Sequence, residues 1–103
     1  MRVYKSMFDK KWVAKSVIPF VDDKRIVIET KKDVRGGVST FANVVTVKNG
    51  VETWMPFSDY GAYVELDRTI KATEKNIINQ HNKALTFLPQ FETNAKKHYQ
   101  IAV

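Results

Sequence analysis

The stretch FANVVTVKNGVETWMPF, residues 41–57, decides the fold. Asn49-Gly50 offers the two positive-φ positions of a type I′ turn, and β-branched runs flank it on both sides. A two-residue turn sets the register. Lys48 then faces Val51, Val45 faces Trp54 and Val44 faces Met55. One face of the hairpin carries Phe41, Val45, Val47 and Trp54; the other carries Ala42, Val44, Met55 and Phe57. Both faces are partly apolar, whereas a half-exposed sheet alternates more cleanly. The hairpin is therefore covered on both sides or presents one face to a partner.

Upstream, DKRIVIETKK (residues 23–32) is expected to form a strand, with Ile26 and Ile28 on one face and Val27 on the other. KKWVAKSVIPFV (10–21) predicts another, which ends, bulges or lies at an edge at Pro19, a residue with no amide proton to donate. Asp22-Asp23 is the expected turn between these two. RVYKSMF (2–8) pairs next through Asp9-Lys10, and AYVELDRTI (62–70) supplies a further strand. Connections this short make an antiparallel meander of five or six strands.

From Thr73 the period changes. Thr73 is a good N-cap, Glu74 suits the first turn, and Ile77, Ile78, His81, Leu85 and Leu88 form one stripe at helical spacing. Pro89 stops or kinks this helix at Leu88. A second helix follows, with Phe91, Ala95 and Tyr99 on one side. Helices of this length are marginal alone and must pack on the sheet. The expected fold is α+β: one domain over residues 1–103, strand-rich over 1–70 and helical over 73–101.

The composition excludes several functions. Among 103 residues there is no cysteine, which removes disulfides, thiolate metal sites and a cysteine nucleophile. No apolar run approaches the length of a membrane span, and residues 1–12 hold no apolar core of a signal peptide. A cytoplasmic protein with no membrane partner is the simplest expectation. Net charge is +6, and residues 1–50 carry all of it, with 11 Lys/Arg against 5 Asp/Glu. Such asymmetry points to a nucleic acid or another polyanion.

KKDVRGGVST, residues 31–40, tests the nucleotide alternative. A phosphate loop needs a helix behind its glycines, and here a β-branched run follows. Gly36-Gly37 is thus expected to be a strand connection, with Lys31, Lys32 and Arg35 on or beside its exposed tip. Glu74, His81 and His98 are the candidates for a metal such as zinc, but they lack a ligand spacing. His81 is expected instead as a buried, hydrogen-bonded histidine between helix and sheet, and His98 as a rim residue. No cofactor and no enzymatic constellation is expected. Tyr4, Phe8, Trp12, Phe41, Trp54, Phe57, Tyr60 and Tyr63 all fall in the strand-rich part, beside many lysines. Cations beside rings suit nucleic acid, although the sequence signature of a four-stranded RNA-binding sheet is missing.

The sequence thus predicts a small non-enzymatic protein that binds the phosphate backbone of nucleic acid. Its candidate cations are Lys10, Lys11, Lys15, Arg25, Lys31, Lys32, Arg35 and Lys48, with Phe41 and Trp54 as a stacking or partner surface. The alternative is a protein-binding inhibitor or adaptor of a larger enzyme, and a second copy of the chain is a further candidate partner. In size, charge and lack of a catalytic constellation the chain resembles small accessory proteins of phages and plasmids, with no motif behind the likeness.

Overall fold

The computed structural model describes residues 1–56 and 65–98. Six strands come first: β1 (Arg2–Lys5), β2 (Trp12–Pro19), β3 (Lys24–Lys32), β4 (Val38–Lys48), β5 (Val51–Pro56) and β6 (Glu65–Asp67). Two helices follow, α1 (Glu74–Leu85) and α2 (Leu88–His98). The strands form one antiparallel sheet in the order β1-β2-β3-β4-β5, with β6 also paired to β4. The expected α+β fold is the observed one.

The hairpin register is as the turn dictates: Lys48 opposite Val51, Val45 opposite Trp54, Val44 opposite Met55. Asn49 and Gly50 have φ of 52° and 77°, as a type I′ turn requires. Pro19 is the last residue of β2; β1 pairs only with Trp12–Lys15, so the strand is an edge on that side at Pro19 and ends where the amide proton is missing. Asp22 takes φ 50° in the turn that follows.

β6 departs from a simple meander. It pairs Val38 with Asp67 and Thr40 with Glu65, at the start of β4, while β5 pairs with the far half, Asn43 to Lys48. The eleven-residue β4 is long enough to hold both strands along one edge. Of the strand expected over residues 62–70, Glu65–Asp67 is formed and 68–70 bends; 62–64, like Phe57, Tyr60 and Tyr99, lie outside the described residues.

Both helices pack on the Ala42/Val44 side of the sheet. Ile26, Ile28, Ala42 and Val44 meet Ala84, Phe91 and Ala95 in one buried cluster, and Ala14, Val38 and Ile77 form a second. The Phe41/Val45/Trp54 side faces the other way. In α1, Thr73 caps the helix by accepting the Asn76 amide at 3.2 Å. The buried side is Ile77, Gln80, His81 and Ala84, so the expected stripe gains Gln80, and Ile78 and Leu85 are only half-buried. Gln80 repays its burial by donating to the Val38 carbonyl at 3.1 Å. Helix α1 ends at Leu85, earlier than expected, and Pro89 sits in the first turn of α2, where its missing amide proton costs nothing.

Gly37 ties β3, β4 and β6 together. Its φ is +78°, and a Cβ there would stand 2.1 Å from the Asp67 carbonyl oxygen. Both facts demand glycine. Gly37→Ala is expected to destabilise the fold by about 1–3 kcal/mol, through left-handed strain and displacement of β6. Gly36, also at positive φ, has open space around it. Chemical denaturation of the two alanine variants should therefore place Gly37→Ala clearly below Gly36→Ala; equal losses would show that β6 does not hold this position.

Candidate nucleic-acid interface

The β3–β4 connection closes as a turn. The Asp33 amide donates to the Gly37 carbonyl at 3.0 Å and the Gly36 amide to the Asp33 carbonyl at 3.1 Å. The Asp33 carboxylate accepts the Arg35 amide at 2.9 Å and lies 3.6 Å from the Arg35 guanidinium. That amide, with the nearby guanidinium, holds the Asp33 carboxyl below its ordinary value. The amides of Arg35 and Gly36, which a phosphate cradle would aim outward, are thus engaged within the loop.

Antiparallel pairing brings this turn beside the β1–β2 turn. Lys10, Lys11, Lys31, Lys32 and Arg35 are exposed there, at one end of the sheet. Lys11 and Lys32 also line a hollow of about 410 Å³ with Lys71, a cation the sequence reading did not single out because its half of the chain is charge-balanced. Both turns hold apolar side chains out into solvent: Met7 and Phe8 are each 98% exposed and Val34 is 99% exposed.

The remaining candidates separate. Arg25 and Lys48 lie at the opposite end, where Lys48 stands 3.8 Å from the Asp23 carboxylate and Lys24 3.2 Å from it. Those cations, Lys24 first, hold the Asp23 carboxyl below its ordinary value. Lys15 lies in the middle of the sheet, on the side away from the helices. The eight candidate cations therefore do not form one patch: five share one end, one stands on the sheet face, and two are remote.

On the face turned away from α1 and α2, helix-free among the described residues, cations sit over rings. The Lys15 ammonium stands 5.4 Å from the Trp54 ring, Lys31 is 6.0 Å from Phe41, and the Arg2 guanidinium is 4.5 Å from Tyr4. β2 and β5 are separated by β3 and β4, so the Lys15–Trp54 contact reaches across two strands. Val45 lies on this face with only 2% of its surface exposed, although the helices are on the other side. Trp54 is 40% exposed and Phe41 is half-buried, and neither lies beneath the helices.

Directly behind this face is a buried polar chain. His81 Nε2 lies 2.7 Å from Ser16 Oγ, His81 Nδ1 lies 2.9 Å from Thr30 Oγ1, and Thr30 and Thr40 share a hydrogen bond at 2.8 Å. Burial pushes the His81 pKa down to about 4, with a smaller push from the N-terminal ammonium, so the ring is neutral at pH 7. Both ring nitrogens are occupied by hydroxyls, and Glu74 is exposed at the start of α1. Among the described residues no group of His, Asp or Glu is placed to hold a metal. Among them, too, no helix is long and apolar enough to cross a membrane. No protein-family model, curated protein or solved structure matches the chain.

Proposed function

We propose that the chain is a non-enzymatic nucleic-acid-binding module that uses the helix-free sheet face and the basic end adjoining it. The observation that carries this reading is the placement of Lys15, Lys31 and Arg2 among Trp54, Phe41 and Tyr4 on one face. Phosphates need the cations, and bases stack on the rings. The lysines over Trp54 and Phe41 do not block this use. An exposed cation–π contact is worth about 0.5–1 kcal/mol, whereas stacking a base on an aromatic contributes about 1–3 kcal/mol. A base therefore displaces the ammonium, which becomes free to meet the phosphate.

A second reading has its own support. Val17, Trp54 and Leu66 are exposed apolar side chains on this same face, as a protein-binding anchor would have them. The two separate by salt. Binding of single- and double-stranded DNA and RNA is measured by fluorescence anisotropy between about 50 and 200 mM salt. The affinity should fall steeply with salt. The variant with Lys31, Lys32 and Arg35 all changed to alanine should flatten the log–log slope by about 2. Absence of binding to every nucleic acid at the lowest salt sinks the proposal. A salt-insensitive complex with one protein partner would favour the second reading.

A further inference from the structure

The helix-free face runs into a recess at the basic end, with a volume of about 230 Å³. At about 30 Å³ per water that is the space of seven or eight waters, enough for one heterocyclic base. Tyr4 and Phe8 are among its lining residues, the Phe8 side chain itself standing 98% exposed, and Lys11, Lys31 and Lys32 supply cations. Resting on the nucleic-acid reading above, we propose that this recess takes one unpaired base of a single-stranded nucleic acid. Phe8 stacks on the base, and the lysines hold the flanking phosphates.

The polarity of the recess decides which part of the strand enters. Glu29 and Asp9 also line it. Carboxylates beside a phosphate oppose its entry, whereas they accept hydrogen bonds from the edge of a neutral base. The anionic part of the strand thus stays with the lysines, and the flat neutral part goes in. A base in a duplex is stacked on both sides and paired along its edge, so it cannot fill such a recess without being flipped out. Single strands carry no such cost.

The β1–β2 turn is built to present Phe8. The Lys10 amide donates to the Ser6 carbonyl and the Ser6 amide to the Lys11 carbonyl, both at 2.8 Å. Asp9 accepts the Lys11 amide at 3.0 Å, and Ser6 Oγ accepts the Phe8 amide at 3.3 Å. The turn therefore satisfies its own polar groups without using the Phe8 ring, which stands free at the mouth of the recess. A lone exposed apolar residue needs no explanation; one beside a recess lined by a second ring and three cations has a specific use.

The test compares parent, Phe8→Ala and Phe8→Trp on a labelled oligonucleotide of about ten nucleotides, a length within one small domain's reach. The same three proteins are tested on the matching duplex, on inorganic polyphosphate and on phosphatidylserine vesicles. Phe8→Ala should leave the unfolding midpoint unchanged and weaken single-strand binding about tenfold. Phe8→Trp should restore binding, with its indole fluorescence quenched by the strand. Polyphosphate, which has charge and no bases, should bind parent and Phe8→Ala alike. If Phe8→Ala binds the single strand as the parent does while the Lys31/Lys32/Arg35 alanine variant loses it, the contact is charge alone; this inference falls and the wider reading stands. Equal binding of duplex and single strand also overturns it, as does a Phe8 effect seen only on vesicles. A parent that binds no nucleic acid overturns both readings.

Discussion

Replacing Phe91 by alanine is expected to lower the free energy of unfolding by about 3–5 kcal/mol, as large-to-small changes of a buried aromatic do. Phe91 is wholly buried and is the largest such side chain in the described structure. It belongs to the cluster that joins Ile26, Ile28, Ala42 and Val44 of the sheet to Ala84 of α1 and Ala95 of α2. The residues of the cluster at 84 and 95 are alanines, which cannot fill the space the ring leaves. A domain of this size has about 5–15 kcal/mol in total. The change therefore removes a large share of it and should lower Tm by about 15–30 °C. Leu88→Ala, at a half-buried position in the same helix, should cost less. Urea denaturation of both variants at pH 7 checks the order. A loss below about 1 kcal/mol for Phe91→Ala would mean that α2 does not hold the sheet in solution.

The local elements were legible wherever one residue pair fixes the geometry. Asn49-Gly50 determines the β4–β5 register outright, and Thr73 marks the start of α1 to the residue. What the sequence concealed are choices made by packing between distant segments. The pairing of β6 with the first half of β4 needs a contact between residues 38–40 and 65–67, and no periodicity encodes it. The α1 stripe holds at Ile77, His81 and Leu85 but omits Gln80, because a glutamine is ordinarily placed outward, whereas Gln80 finds a carbonyl at the edge of the core and is buried. The candidate site shows the same division. Lys31, Lys32 and Arg35 were legible as a tip from the glycines beside them. That Lys10 and Lys11 join them, while Arg25 and Lys48 do not, follows only from strand order. Phe8 was counted among the strand aromatics, but its position within SMFDKK, before a turn, was the available signal that its ring stands outside.

The two sides of the sheet are coupled through the chain itself. Ser16 and Thr30 bond His81 and Thr40 bonds Thr30, and their neighbours Lys15, Lys31 and Phe41 point to the opposite face. Alternation along a strand places each pair back to back. One histidine of α1 thus pins β2 and β3 directly, and β4 through Thr30, at the points where they carry the proposed interface.

That pin should make the protein sensitive to acid in a defined window. His81 can accept or donate at either nitrogen, and both hydroxyls can accept from a doubly protonated ring. The cost of protonation is therefore burial of the charge, not a lost hydrogen bond. It is this burial that lowers the pKa from 6.5 to about 4. Above about pH 6.5 neither state takes the proton, and the full stability is present. Between about 6.5 and 4 the unfolded chain binds a proton that the folded one refuses, so stability falls as the pH falls. Below about 4 the folded ring is protonated too, and the loss levels off at roughly 3 kcal/mol. The carboxyls of Asp23, Asp33 and Asp67 are held below 3.8, so their contribution to stability is lost at still lower pH. His81→Gln, which keeps a polar side chain and removes the titration, should be less stable at pH 7 and should lose the slope between pH 6.5 and 4. It should still unfold in stronger acid. Urea midpoints of parent and variant from pH 7.5 to 3 provide the measurement. A parent whose stability is flat from pH 6.5 to 4 would show that water reaches the ring, and that the strands beneath the proposed interface are held less rigidly than the hydrogen bonds at His81 imply.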